Sequence, residues 1–167
     1  TYSDNLTLTV GSVTDSMTLK VRVQPEVCSD GVIGDLRIDV TDPDSNDEYS
    51  PGETISIKVN VDNVGDGDLD VIVEAFLYNV DQDDEIVREE SDSDSIDEGK
   101  DADFKFDLDV PDDQNLDEDD DYVLYVKAYE DGSEDDHCGQ DSIPIDIVRN
   151  TYDVVVKRID VRPLVVQ

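Results

Sequence analysis

The feature that most constrains this chain is the strict alternation of apolar and polar residues in its central part. From Thr54 to Asp62 every second residue is Ile or Val, and the residues between them are polar or charged. Asp103–Val110 repeats the pattern, and a third alternating segment begins at Tyr122. Because successive side chains of a strand point to opposite faces, each segment predicts a β-strand with one buried and one solvated face.

One further segment, Asp70–Val80, is apolar on both faces and predicts a central strand that is covered twice. Turn-forming residues separate the segments, and no long window shows apolar residues at helical spacing. The shorter candidate strands are Asp35–Val40, Glu85–Glu89 and Ser142–Val148. About seven strands in roughly 120 residues predict an all-β fold, an antiparallel immunoglobulin-like β-sandwich.

The charge balance narrows the classes of partner. Asp and Glu outnumber Lys and Arg by 46 to 12, so the formal net charge is −34. Nucleic acid is therefore not expected as a partner. Apolar residues still make up 37 % of the chain, which favours a folded core under an acidic surface. Such a surface keeps a protein soluble in strong salt, although it also serves ordinary solubility.

The sequence contains no membrane segment and no leader that we can identify. No window approaches the roughly 18 apolar residues of a spanning helix, so membrane insertion is not expected within this chain. The chain begins without Met, almost inside a predicted strand. We interpret it as part of something longer.

The two ends of the chain resemble each other. Asp4–Val27 can be laid on Asp141–Val166 with a single-residue gap, so that apolar positions coincide. This predicts tandem sandwiches, in which residues 1–25 close one unit, residues 26–150 form the complete sandwich and residues 151–167 open the next. Chance agreement between two short β-rich stretches is the alternative.

Several turn and strand sequences resemble one known family. "YSPGETISIKVNVDNVGDGDLDVIVEAFLY", "DEGKDADFKFDL" and "DYVLYVKAYEDG" are similar to the cell-adhesion-related (CARDB) family of immunoglobulin-like domains, over roughly Asp35 to Val148. "YDVVVKRIDVRP" looks like the opening of a further copy. The resemblance implies a repeated module of secreted or surface proteins, with an extracellular structural or adhesive role. The acidic insertions Asp81–Glu90 and Asp112–Asp121 depart from the family pattern.

Two cysteines, Cys28 and Cys138, bracket the predicted sandwich. A disulfide between them would close a loop of about 110 residues and stabilise the fold by roughly 4–5 kcal/mol in the chain-entropy model. Oxidising compartments preserve such a bridge, which fits export to the cell surface. Two free buried thiols are one alternative. A zinc site with His137 is another, but its spacing matches no standard pair of ligand knuckles.

Catalytic residues are not evident, so we predict no enzymatic activity. His137 is the only histidine, and nothing that resembles a nucleophile elbow accompanies it. A loop position exposed to solvent is the simpler interpretation of this residue. The chain has no Trp that could form a sugar platform beside paired carboxylates.

Calcium is the one metal that the acidic loops suggest, and no other cofactor is expected. The segment Asp42–Glu53 has the oxygen spacing of a helix-loop-helix calcium loop, but Asp47 replaces the required Gly and Pro51 interrupts the loop. Solvated loops that keep sheet edges from pairing are the alternative. The candidate ligands are Asp42, Asp44, Asn46, Glu53, Asp66, Asp68, Asp70, Asp117 and Asp119.

Basic residues concentrate near both ends of the chain. We predict that they meet acidic loops of a neighbouring repeat or an identical subunit, although ordinary exposed strand positions explain them equally well. Asn5 begins a glycosylation sequon that could be used if the chain is exported. The basic residues of the two ends are Lys20, Arg22, Lys157, Arg158 and Arg162.

These observations together predict an extracellular structural repeat unit of a surface-layer, stalk or filament protein. An adhesive or calcium-binding module, whose acidic loops bind cations or a ligand, is the alternative. Both hypotheses place the protein at the cell surface.

Overall fold

The computed structural model describes residues 2–10, 13–21, 25–112 and 116–149. These residues contain eleven strands, and no helix occurs among them. The strands are β1 Tyr2–Val10, β2 Val13–Val21, β3 Leu36–Asp42, β4 Glu48–Tyr49, β5 Thr54–Asn63, β6 Leu69–Asn79, β7 Asp84–Glu90, β8 Asp94–Ile96, β9 Asp101–Asp109, β10 Tyr122–Glu130 and β11 Cys138–Ile147.

Strands β3 to β11 form two sheets that face each other. One sheet has three strands in the order β3-β5-β9. The other has six, in the order β4-β11-β10-β6-β7, and β8 also pairs with β6. All pairs are antiparallel except β4 with β11, where Ile147 lies opposite Tyr49. The predicted all-β sandwich is confirmed.

Two short strands were not predicted, because two or three residues cannot show a period. β8 continues β7 along the same edge of β6. Ser91 joins them: its backbone N–H donates to the Val73 carbonyl at 2.8 Å, and its hydroxyl accepts from the Val73 N–H at 3.0 Å. A side-chain oxygen therefore takes the place of a backbone carbonyl where the edge strand is interrupted.

The core lies between the two sheets and consists of the apolar positions that the alternation predicted. In β5 the side chains from Ile55 to Val61 that alternate inward are at most 1 % exposed. Full burial of each such side chain stabilises the fold by about 1.5–3 kcal/mol. Strand β6 is the central strand that is covered on both faces, since Leu77 lies in the core while Phe76 and Tyr78 are buried on the outer face.

The sandwich has two poles, and the chain passes from one to the other. Leu36, the first residue of β3, lies opposite Asn63 at the end of β5, so β3 begins at the pole where β6 also begins. Near the end of β11, Ile145 lies opposite Tyr122, which lies opposite Asn79 at the end of β6. We call these ends the N-pole, where β3 begins, and the C-pole, where β11 ends.

Strands β1 and β2 form a separate two-stranded sheet, paired from Tyr2 opposite Val21 to Val10 opposite Val13. The side chains of Leu8 and Met17 are 67 % and 60 % exposed. An isolated hairpin is marginally stable in water, so such a hairpin is expected to pack against something else. Its assignment to a preceding unit stays a prediction, and residues 151–167, assigned to a following unit, lie outside the described residues.

A buried asparagine fixes the turn between β5 and β6. Asn63 is 1 % exposed. Its side-chain NH₂ donates to the carbonyls of Gly67 at 2.7 Å and Ile96 at 3.0 Å, and its oxygen accepts from the Gly65 N–H at 3.0 Å. The side chain therefore satisfies three backbone groups and ties the turn to β8.

Replacing Asn63 by alanine should destabilise the sandwich by about 2–3 kcal/mol, because buried backbone groups lose their partners. The matched control is Asn60→Ala on the same strand, where a partly exposed side chain bonds only to exposed aspartates. We expect the control to change the free energy of unfolding by less than about 1 kcal/mol. Urea denaturation of both variants measures the difference, and equal losses would contradict this role of Asn63.

Candidate functional site

A disulfide fastens the segment that precedes β3 to the sandwich. The sulfurs of Cys28 and Cys138 are bonded, and their Cα atoms are 6.0 Å apart. Beside the bridge, the backbones of Ile33 and Cys138 exchange hydrogen bonds of 3.0 and 2.8 Å. The Cys28 N–H also donates to the side-chain oxygen of Gln140 at 3.3 Å. The expected disulfide is thus present, and it consumes both thiols that the zinc alternative required.

His137 supports the turn that leads into β3. Its Nδ1 accepts a hydrogen bond from the Asp35 N–H at 3.2 Å. The neighbouring Gly34 has φ +76°, and a Cβ at that position would overlap the Asp136 carbonyl and the His137 ring. The histidine is partly buried rather than fully exposed, and its contacts are structural.

A cluster of charged side chains lies on the outer face of the six-stranded sheet. Lys127 of β10, whose side chain is 9 % exposed, places its Nζ 3.3 Å from Glu74 of β6 and 3.1 Å from Glu134. Arg88 of β7 pairs with the same Glu74 and with Glu85. Sequence reasoning missed this cluster. The sequence indicates it only through Lys127, a charged residue between the apolar Val126 and Ala128 of β10.

The two bases of the cluster balance most of its negative charge. Burial is the largest single effect and would raise the pKa of Glu134, but the hydrogen bonds from Lys127 and Ser29 and the charge of Lys127 together outweigh it, so the pKa lies below its usual value. The hydrogen bond from Arg88 likewise lowers the pKa of Glu85, and that of Arg88 is raised. Arg88 also lies 4.7 Å from the centre of the Phe76 ring. Lys127 and Arg88 are thus both paired with carboxylates of the cluster, so neither base is open to an anion.

An aromatic patch continues this face toward the C-pole. The rings of Phe76 and Tyr125 are stacked at 5.4 Å, and Tyr78 meets Tyr125 edge-on at 6.0 Å. Burial and a hydrogen bond to Asp83 raise the pKa of Tyr78 to about 12. Val27 packs on these rings. The residues just before the disulfide therefore lie across the outer face of the sheet.

The acidic run before β10 is fastened at the C-pole by its own carboxylates. Asp120 accepts hydrogen bonds from the side chains of Asn79 at 2.8 Å and Gln82 at 2.7 Å. In return, the Asp121 N–H donates to the Asp81 carboxylate at 2.8 Å. This run forms an ordered loop that docks on the β6–β7 loop, and its carboxylates accept hydrogen bonds there.

The candidate calcium ligands lie apart from one another, and several of them make local contacts like those of Asp120. Asp42 pairs with Lys58, and Glu53 accepts from the Ser50 N–H at 2.8 Å. Asp68 accepts from the Glu98 N–H at 3.0 Å. Asp117 accepts from the N–H of Asp119. The exposed residues Asp44, Asn46, Asp66 and Asp70 complete the set. Within the described ranges, no group of three or more His, Cys, Asp or Glu side chains converges on one position.

The acids of β9 face donors on β5. Hydroxyl and amide groups of one strand lie opposite carboxylates of the other, so neighbouring charges are separated by hydrogen-bonded partners. The pairs are Thr54 with Asp109 at 2.7 Å, Ser56 with Asp107 at 2.9 Å, and Asn60 with Asp103 and Asp101, both at 3.0 Å.

The remaining predictions fall near or beyond the limits of the described residues. Asn5 lies in β1 opposite Thr18, and Lys20 lies in β2 opposite Ser3. Arg22 and the basic residues after Asn150 are outside the described ranges. Glycosylation and the junction contacts therefore stay predictions. No helix in the described residues is long and apolar enough to cross a membrane.

Comparison with known proteins gives similarity of fold. No family model matches the chain, and no curated protein matches its sequence. Among solved structures, the sporulation control protein Spo0M from Bacillus subtilis matches with a TM-score of 0.50 and 20 % identity, over 71 % of this chain and 51 % of Spo0M. The chain thus spans about half the length of Spo0M. At this identity the match supports the β-sandwich fold alone.

Two weaker matches are single domains. The C-terminal domain of Wzt has a TM-score of 0.49 and 19 % identity, over 78 % of this chain and 82 % of that domain. A CARDB domain from Pyrococcus furiosus has a TM-score of 0.42 and 12 % identity, over 68 % of this chain and 96 % of that domain.

Replacing Lys127 by methionine should destabilise the sandwich by about 2–3 kcal/mol, because the nearly buried Glu74 and the partly buried Glu134 lose a shared counter-charge. The value is below that of a fully buried pair, since Arg88 still neutralises part of the charge on Glu74. The matched control is Lys105→Met on β9, where the side chain is exposed. Urea denaturation at fixed ionic strength provides the measurement. A loss in Lys127→Met no larger than that in the control would show that the cluster contributes nothing to stability.

Proposed function

We propose that this chain is a non-enzymatic, extracellular structural repeat unit of a surface-layer, stalk or filament protein that stays soluble in high salt. The observation that carries the proposal is the path of the chain: the first strand of the complete sandwich, β3, begins at the N-pole, and its last strand, β11, ends at the C-pole. Units with this geometry can follow one another in a line. The CARDB resemblance of the turn and strand sequences agrees with a repeated module.

The disulfide supports a location outside the cell. Structural disulfides persist in oxidising compartments and are rare in the cytosol. The bond between Cys28 and Cys138 links residues 110 positions apart, so it closes almost the whole sandwich. The acidic surface, with its formal charge of −34, fits a salt-rich exterior.

The partners that we propose are neighbouring repeats or identical subunits. Val32, Ile33 and Val64 are large apolar side chains exposed at the N-pole. The Val64 N–H donates to the carbonyl of Asp35 at 2.9 Å, so Val64 lies at the same pole as the segment that precedes β3. Exposed apolar side chains at the pole where β3 begins fit contact with a preceding unit. The exposed Leu8 and Met17 of the hairpin fit the same role.

Antibodies raised against this chain test the proposal. They should label intact cells of the source organism without permeabilisation. The native protein released from the surface should show rows of beads in electron micrographs. Strands of up to 11 residues give beads spaced about 40 Å apart, loops included.

The control is an antibody against a cytoplasmic protein, which should label only permeabilised cells. If the antibody against this chain also labels only permeabilised cells, the extracellular assignment is wrong. If the native protein appears as single globules, the repeat assignment is wrong.

A further inference from the structure

We propose that the Cys28–Cys138 disulfide and β11 together form a tension path that bypasses the rest of the sandwich. A pull applied along the chain would pass from Cys28 through the disulfide into Cys138 and along β11, so the residues between the two cysteines would bear no tension. This inference deepens the proposed structural role, since a repeat unit in a stalk or filament is pulled from both ends.

The first step of the argument is connectivity. The chain continues on both sides of the sandwich, with the hairpin before Cys28 and residues 150–167 after β11. Between Cys28 and Cys138 two covalent routes exist: the sequence, which spans 110 positions, and the disulfide, which joins Cα atoms 6.0 Å apart. The shorter route becomes taut first. Tension therefore cannot enter the longer route while the disulfide is intact.

The second step is the position of Cys138. It is the first residue of β11, the last strand of the described sandwich, which ends nine residues later at Ile147 at the C-pole. A strand already rises about 3.3–3.4 Å per residue, close to the limit of about 3.6 Å for an extended chain. Pulling on both ends of β11 thus lengthens it by only a few ångströms, and it does not need to separate from β10.

The third step is what happens without the bridge. Tension would then run from Cys28 into β3, which pairs with β5 in the opposite sheet, and would reach β11 only through the packed core. Pulling β3 and β11 from opposite poles shears the two sheets past each other. Unfolding would release the residues between the two cysteines, about 360–400 Å of extended chain.

The neighbouring contacts favour this path. The hydrogen bonds between Ile33 and Cys138 hold the chain beside the start of β11, and Val27 is buried on the aromatic rings of the outer face. At the other end, the Val148 N–H donates to the Tyr49 carbonyl at 2.9 Å. The Arg149 Nε donates to the Leu116 carbonyl at 2.7 Å. The taut strand is therefore held at both poles.

Single-molecule force spectroscopy on the full 167-residue chain, held by its two termini, tests the proposal. A thiol assay first establishes that the disulfide is intact. The oxidised chain should show no extension step beyond the short lengthening of the segments before Cys28 and after Arg149, which are residues 1–27 and residues 150–167. After reduction of the same folded protein, a step of about 360–400 Å should appear. A step of several hundred ångströms in the oxidised chain would overturn the proposal, whatever the reduced chain does.

A second pulling geometry separates a bypass from simple mechanical strength. In the oxidised chain, a handle attached at the exposed Glu98, inside the disulfide loop, is pulled against the C-terminus. This route includes roughly 40 residues between Glu98 and Cys138, so a step on the order of 100 Å should appear. If the oxidised chain shows no step in this geometry either, the sandwich as a whole resists unfolding. The absence of a step between the two termini is then explained by that resistance and not by the bypass. Neither outcome bears on surface labelling, which tests the proposed function separately.

Discussion

Electrostatic self-repulsion is the constraint on which the rest of this structure depends. A net charge of −34 on 167 residues opposes any compact state. The sandwich meets this repulsion locally: hydroxyl and amide donors of β5 face the acids of β9, and loop carboxylates such as Asp120 accept hydrogen bonds from neighbouring loops. Lys127 and Arg88 neutralise the carboxylates that the outer face of the larger sheet partly buries. The acidic surface is thus a shell of ordered hydrogen-bond acceptors around an ordinary apolar core.

The same organisation explains what the sequence could predict. Strand Thr54–Asn63 was predictable because burial of one face imposes a period of two on its residues, and Leu69–Asn79 was predictable because burial of both faces makes it a nearly continuous apolar run. The disulfide was also predictable, since the two cysteines bracket the sandwich. The strands Glu48–Tyr49 and Asp94–Ile96 are too short to show a period. The contacts of Lys127 and Asp120 join residues distant in sequence, so they required the register of β6 and β10.

Topology connects this stability to the proposed role. The first strand of the sandwich begins at one pole and the last strand ends at the other, and the disulfide shortens the covalent route through the unit. A unit of this kind suits a linear array, in which each repeat stays folded although like charges repel and neighbouring units pull on it. In the proposed array, the acids that give the surface its charge are also the hydrogen-bond acceptors that order the loops of each unit.

Thermal unfolding of this chain in three solutions tests the central claim most directly: chelator alone, millimolar calcium, and sodium chloride at matched ionic strength and then up to molar concentration. If the acids form a solvated shell, screening alone relieves their repulsion. Calcium and sodium at equal ionic strength should then give the same midpoint, and molar salt should raise it further. A large rise with millimolar calcium, absent at matched ionic strength and reversed by chelator, would contradict the account and make the acidic loops specific cation sites.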